Sequence, residues 1–189
     1  LTQIAILVGA AVYTANMVRH GFSTRTQPSR LEALLARTMR NMAMSSAAKA
    51  VANPWASKAI PEIMEAARVH WADHCATCHA NDGSGNTEMG RNLYPSAPDM
   101  RLAATQSLSD GELYYIIRNG VRLTGMPAWG DPKLQQDDES WQLVLFIRHL
   151  PKMTPEEAEA MKALNPRTDA DRTEERQEQD FLNGGEPPR

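Results

Sequence analysis

Apolar residues recur along this chain at intervals of three to four positions, which is the periodicity of an amphipathic helix. The pattern predicts one helix after Pro28, and four more over residues 61–79, 109–118, 137–150 and 154–164. No stretch alternates between apolar and polar residues convincingly enough to indicate a strand. We therefore expect an all-α protein.

Residues 1–18 form the most apolar stretch and carry no charge. Eighteen helical residues reach about 27 Å, slightly less than the hydrocarbon core of a bilayer. A buried core helix and a cleaved secretion signal are the competing interpretations. We expect a transmembrane anchor, with Arg19 and His20 at its outer interface.

Residues 19–60 are predicted to be a linker that contains one helix. Ser29 and Glu32 have the spacing of a capping box, which marks a helix start. Five apolar residues then share one stripe: Leu31, Leu34, Leu35, Met39 and Met42. The segment has a net charge of +6. This basic amphipathic helix could pack on the following domain, or it could lie on a membrane surface or a partner subunit.

The length of 189 residues allows one domain with appendages, and residues 61–151 are its predicted extent. Residues 152–189 are predicted to form a helix and then a charged tail, whose composition is typical of disorder. The net charge of −3 does not favour nucleic-acid binding.

The two cysteines occur as Cys75-Ala76-Thr77-Cys78-His79, a C-x-x-C-H motif typical of covalent haem attachment. Two thiols on one helical turn can each form a thioether with a haem vinyl group. The adjacent histidine is then directed at the iron.

Two other kinds of site remain possible at this motif. His70 and His74 join the cysteines in a dense cluster that could hold zinc, although a second ligand-bearing segment is missing. A thioredoxin-like redox site would need a preceding strand, and the sequence predicts none.

A methionine could provide the second axial ligand to the iron. Met126 is the best candidate because it lies in Gly125-Met126-Pro127, where glycine permits close backbone approach and proline keeps the loop extended. Met100 and Met89 are the alternatives.

Residues 61–151 resemble the class I monohaem cytochromes c, particularly the oxidase-associated and bacterial periplasmic type. The segments that carry the resemblance are the C-x-x-C-H motif, Asn81-Asp82-Gly83-Ser84-Gly85, Ala97-Pro98-Asp99-Met100 and Met126-Pro127-Ala128-Trp129-Gly130. The sequence departs from the family at Ala80, where a glycine usually follows the histidine. The resemblance implies a small fold of three main helices around one haem.

The resemblance also implies roles for single residues. Haem c would be bound covalently through Cys75 and Cys78, with His79 and Met126 on the iron. The Pro98 carbonyl would accept a hydrogen bond from His79 and orient it. Trp129 would either donate to a haem propionate or serve in packing.

Trp71 matches the family's aromatic residue by which the first helix packs on the last. Phe146 is the expected partner and Trp141 the rival.

These implications predict a one-electron carrier that is not itself an enzyme. Haem attachment of this kind follows export, so the domain is expected in the periplasm, tethered to the bacterial inner membrane. Its partners would be redox proteins, most simply other subunits of a respiratory membrane complex. The alternatives are a free tethered shuttle, and a haem enzyme or sensor in which Met126 is displaceable.

Overall fold

A computed structural model of the chain describes residues 2–19, 23–58, 61–167 and 169–184, and its secondary structure over these ranges consists of helices joined by turns and loops. The α-helices are α1 (Thr2–Arg19), α2 (Arg30–Ala43), α3 (Ser46–Lys49), α4 (Pro61–His70), α5 (Ala76–His79), α6 (Glu88–Asn92), α7 (Ala103–Gln106), α8 (Asp110–Asn119), α9 (Asp138–His149), α10 (Pro155–Ala160) and α11 (Asp169–Leu182). Short 3₁₀ turns occupy Ala56–Lys58, Leu150–Lys152 and Met161–Leu164. No strand occurs in the described part of the chain, so the all-α prediction is confirmed.

Helices α2, α8 and α10 begin at side-chain caps that the sequence predicts. Ser29, Ser109 and Thr154 each accept a hydrogen bond from the backbone N–H three residues later, and the glutamate at that position bonds back to the cap. These reciprocal bonds satisfy two backbone donors that would otherwise lack partners. Gly120 ends α8 with a φ of 65°, a conformation that glycine adopts without strain.

The core lies where α4 crosses α9. Trp71 packs against Phe146 with ring centroids 5.3 Å apart, which confirms Phe146 as the predicted partner. Both side chains are almost completely buried. Trp141 instead stacks on Tyr114 of α8, with centroids 4.0 Å apart. The three helices α4, α8 and α9 thus share one apolar interior.

Segments on both sides of residues 61–151 also pack on this core. Asn53 is buried, and its side-chain amide donates to the Trp141 carbonyl across 2.9 Å. Ser109 Oγ donates to the Lys49 carbonyl at 2.7 Å and so joins α8 to α3. Met161, from the C-terminal extension, is fully buried within the same cluster.

The predicted helix over residues 61–79 forms, but it is not a uniform α-helix. Trp71–Cys75 is a π turn, in which the Ala76 N–H donates to the carbonyl of Trp71 five residues earlier. Such a turn inserts one extra residue into an α-helix and occurs often at functional sites.

The prediction of a transmembrane anchor in residues 1–18 is wrong. Over the ranges that the structure describes, no helix combines the length and apolarity needed to cross a membrane. The physical reason lies in α1 itself: its 18 residues are short for a bilayer, and polar side chains such as Gln3 and Asn16 interrupt it. The single-pass topology that depended on this helix is withdrawn with it. Leu1 and His20 lie outside the described residues.

The charged tail also differs from its prediction, because most of its described part is the helix α11. Its described side chains are exposed, and an ion pair of 2.8 Å joins Arg167 to Glu175. Arg167 lies just before α11, so this pair links the helix to the segment that precedes it.

Candidate functional site

The C-x-x-C-H motif begins in the last residue of the π turn and ends with α5. Cys75 and Cys78 are free thiols, both partly exposed to solvent. Burial, with a smaller contribution from Cys78, raises the pKa of Cys75 to about 12, and burial also raises the pKa of Cys78. Both groups are therefore protonated, neutral thiols near neutral pH. The surroundings therefore do not create the reactive thiolate of a redox site.

His79 is buried, and burial lowers the pKa of its imidazole to about 4. A neutral imidazole is the form that binds a metal ion through a ring nitrogen. The Trp71 ring lies 5.9 Å from the His79 ring, between centroids, and closes one side of it. The indole N–H of Trp71 donates to the Ala80 carbonyl at 3.0 Å, so the core tryptophan also fixes the end of the motif.

Pro98 lies close to His79, and its predicted role in orienting the imidazole stays a prediction. Its backbone carbonyl raises the pKa of His79, in opposition to the larger effect of burial. Nδ1 of His79 is buried and has no hydrogen bond of full geometry in the described part of the structure. The Pro98 carbonyl is thus the acceptor available to orient this ring.

The loop after the motif is packed tightly against it. Gly85 N–H donates to the His79 carbonyl at 2.8 Å, and Thr87 Oγ1 donates to the Thr77 carbonyl at 2.8 Å. A Cβ placed on Gly90 would lie 2.2 Å from the Cys78 carbonyl oxygen. Helix α6 can approach the motif this closely only because Gly90 has no side chain.

Arg101 holds the Pro98 segment to the loop that follows His79. Its guanidinium forms ion pairs with Asp82 at 2.8 Å and with Asp99 at 2.7 Å. The hydrogen bond from Arg101 is the main cause that lowers the pKa of Asp99. Arg101 is not among the residues predicted from the sequence, although the Asp99-Met100-Arg101 spacing beside Pro98 is a usable signal.

Met126 is half-buried in the loop between α8 and α9. Its carbonyl accepts from the Val121 N–H at 3.0 Å, and its N–H donates to Thr124 Oγ1 at 3.1 Å. Gly125 lies directly against the side chain of Leu93, which a Cβ would approach to 2.6 Å.

At the other end of the same loop, Trp129 stacks on His74, with ring centroids 5.2 Å apart and planes inclined by 19°. The loop around Met126 is therefore held at two points. Gly125 lies against Leu93, and Trp129 lies against His74, the residue before Cys75. Sequence analysis treated His74 only as a member of a possible zinc cluster and missed this contact.

The other two methionines occupy different environments. Met100 is buried in the apolar core, and its N–H donates to the Gly83 carbonyl at 2.8 Å. Met89 is exposed on α6. Of these three methionines, Met126 alone lies in the loop whose Trp129 contacts His74, next to the C-x-x-C-H motif.

The histidines and cysteines do not converge on one point. Within the described ranges, no group of three or more His, Cys, Asp or Glu side chains is arranged to hold a metal ion. The rings of His70 and His74 meet edge to face at 5.0 Å, and His74 turns towards Trp129. This is not the tetrahedral arrangement of a structural zinc site.

The donor set does fit a covalently attached haem. It offers two neutral thiols three residues apart, a buried neutral imidazole directly after them, and a thioether in a braced loop. The motif is also packed from behind by α6 and the following loop, so its orientation is fixed.

Comparisons with known proteins support the same kind of cofactor. Residues 62–147 match the family described as cytochrome c oxidase, cbb3-type, subunit III. The chain is 35% identical over 91 residues to the cbb3-type cytochrome c oxidase subunit FixP of Rhizobium meliloti (strain 1021). That match covers 48% of this chain and 28% of FixP, so the chain spans little more than a quarter of this relative.

The matched region contains the C-x-x-C-H motif, the helices that form the core and the loop that carries Met126. These similarities support a class I monohaem c-type cytochrome domain at residues 62–147.

Proposed function

We propose that this domain carries single electrons through one haem c with histidine and methionine as axial ligands. The observation that supports this best is the buried, neutral imidazole of His79, which directly follows two free thiols three residues apart. Cys75 and Cys78 would each hold the haem by a thioether. When bound, the haem supplies a one-electron iron couple.

The protein residues would determine how that couple behaves. His79 would bind from the proximal side, oriented by the Pro98 carbonyl. Met126 would bind from the distal side, and a thioether there favours a high reduction potential. With both positions filled, no site is left for substrate or gas. This favours an electron carrier over a haem enzyme or sensor.

Trp129 would serve mainly to position the distal loop. Its ring stacks on His74 and its backbone N–H donates to the Ile117 carbonyl at 3.1 Å, and both contacts support a packing role. Neither contact uses the indole N–H, so donation to a haem propionate stays an alternative prediction.

The natural setting we propose is a respiratory complex with its haem domain in the periplasm. The similarity to the cbb3-type oxidase subunit III family and to FixP supports a subunit role. The periplasmic location rests on the chemistry of C-x-x-C-H haem attachment, which follows export. Donor and acceptor would be redox proteins of that complex.

Spectroscopy of the purified holoprotein tests the ligand assignment. We expect a low-spin centre whose reduced form does not bind carbon monoxide. Met126→Ala should open the iron to carbon monoxide and lower the midpoint potential, while Met89→Ala, at an exposed site, should change neither property. Rapid carbon monoxide binding by the unmodified protein would favour a haem enzyme or sensor instead. Unchanged behaviour of Met126→Ala would show that another residue is the ligand.

Purification in mild detergent tests the assembly. We expect other respiratory subunits to copurify with this chain. A chain that is monomeric in every gentle preparation would favour a free shuttle.

A further inference from the structure

Helix α2 is turned the opposite way from an ordinary amphipathic surface helix. Its half-buried residues are Glu32, Ala33 and Arg40, which are acidic, small and basic. Its apolar residues face outwards. The helix therefore packs its polar face on the protein and presents its apolar face to the surroundings.

Polar contacts fix this orientation at both ends of α2. Near its start, Glu32 accepts a hydrogen bond from the Tyr94 hydroxyl, and Gln27 Oε1 accepts from the Ser96 N–H at 3.0 Å. Near its end, Asn41 accepts from the Lys49 ammonium group. The helix cannot rotate its apolar face towards the protein without breaking these contacts.

The outward face, which we call the α2 stripe, consists of Leu31, Leu34, Leu35, Met39 and Met42. Each of these residues is between 55% and 79% exposed. Large apolar residues clustered on one exposed face mark an interaction surface. The stripe is convex, since it is one side of a single helix.

Positive charge borders this stripe. Arg30 and Arg37 are one heptad apart and lie on one line of the helix, three or four positions from Leu34 on either side. The only acid among residues 19–60 is Glu32, whose carboxylate is already bonded to Tyr94. A leucine- and methionine-rich face with arginines along its edge is the arrangement of helices that lie in the interface of anionic membranes.

We propose that α2 lies flat on an anionic lipid surface, with its stripe among the acyl chains and Arg30 and Arg37 at the headgroups. The helix does not cross the bilayer. A lipid surface fits better than a protein because the stripe is convex and bordered by unbalanced positive charge, and both features match a flat, negatively charged layer. This proposal is independent of the haem ligands and of the electron-transfer function.

The test is binding of the full-length holoprotein to vesicles, measured by sedimentation. We expect binding to phosphatidylcholine vesicles that contain phosphatidylglycerol, and much weaker binding to phosphatidylcholine alone. The double variant Leu34→Gln, Leu35→Gln should bind at least tenfold more weakly. Arg30→Gln with Arg37→Gln should reduce binding to anionic vesicles by about fivefold for each charge at low salt.

A matched control loses two exposed leucines elsewhere, in the double variant Leu102→Gln, Leu134→Gln, and should bind like the unmodified protein. Hydrogen exchange should show that vesicles protect the amides of residues 30–43. Equal binding by the stripe variant would overturn the proposal and assign any lipid contact to another segment. Protection of α2 that requires a second copy of the chain, or a partner protein in the vesicle, would overturn it as well.

Discussion

The residue after His79 has a backbone conformation that is costly for alanine. Ala80 has φ of 62° and ψ of 161°, a region that is almost restricted to glycine. Strain of this kind costs of order 1–3 kcal/mol. Replacing alanine by glycine costs about 0.4–1 kcal/mol through the greater freedom of the unfolded chain. We therefore expect Ala80→Gly to stabilise the holoprotein by about 1 kcal/mol.

Guanidinium unfolding of the holoprotein, followed by circular dichroism and haem absorbance, measures this effect. The guanidinium concentration at the midpoint of unfolding should rise, while the slope of the unfolding free energy against guanidinium concentration stays constant. The thermal midpoint should rise by roughly 5 °C. The matched control is Ala66→Gly, at an exposed helical position of α4, which should cost about 1 kcal/mol. If Ala80→Gly destabilised the protein as much as this control, the backbone strain that we assign to Ala80 would be absent.

Three further predictions follow from the packing and the charges. Phe146→Ala removes an almost fully buried ring and should lower the free energy of unfolding, measured by urea denaturation, by about 3–5 kcal/mol. The loss should be clearly larger than that of the control Phe146→Leu. Equal losses in the two variants would contradict tight packing at this position. Arg101→Lys loses the paired hydrogen bonds to Asp99 and should cost no more than about 1 kcal/mol at pH 7, because both groups are partly exposed. The hydrogen bond from Arg101 lowers the pKa of Asp99. The stabilisation from this pair is therefore fully present above the ordinary carboxyl pKa of 3.8 and is lost as the pH falls below that value. A difference in stability between Arg101→Lys and the unmodified protein that persists at pH 2 would contradict this. The hydrogen bond to Glu32 raises the pKa of Tyr94 to about 12. An absorbance titration should show this tyrosine losing its proton at high pH, and in Glu32→Gln its pKa should return towards the ordinary value of 10. Between pH 10 and 12 Tyr94 is deprotonated in the unfolded chain but not in the folded protein, so the stability that it contributes falls as the pH rises.

The features that could be predicted from the sequence depend on local chemistry. The helix starts at Ser29, Ser109 and Thr154 follow from contacts within four residues, and all three are confirmed. The contact of Trp71 with Phe146 spans 75 positions, but it was predicted from the resemblance to a known family and is also confirmed. The roles of the haem-site residues remain predictions.

The features that could not be predicted depend on distant contacts or on the sum of many small preferences. Asn53 reaches Trp141 across 88 positions, and nothing in its neighbourhood marks it as buried. The stripe of α2 was recognised as amphipathic, but its orientation is decided by Tyr94, far along the chain. The anchor prediction is wrong for another reason: it depended on the absence of charge in residues 1–18, and no helix among the described residues is long and apolar enough to cross a membrane.

Residues 71–75 form a π turn, so the number of residues between α4 and the C-x-x-C-H motif matters as well as their identity. Each inserted residue rotates everything after it by about 100° around the helix axis. Upstream of the turn, Ala67 is buried in the core, and downstream of it His79 is buried as well. Exposed positions such as Asp73 can therefore vary in identity, but deleting one of them would turn the attachment motif away from the loop that carries Met126. Insertions and deletions here should be far more damaging than substitutions.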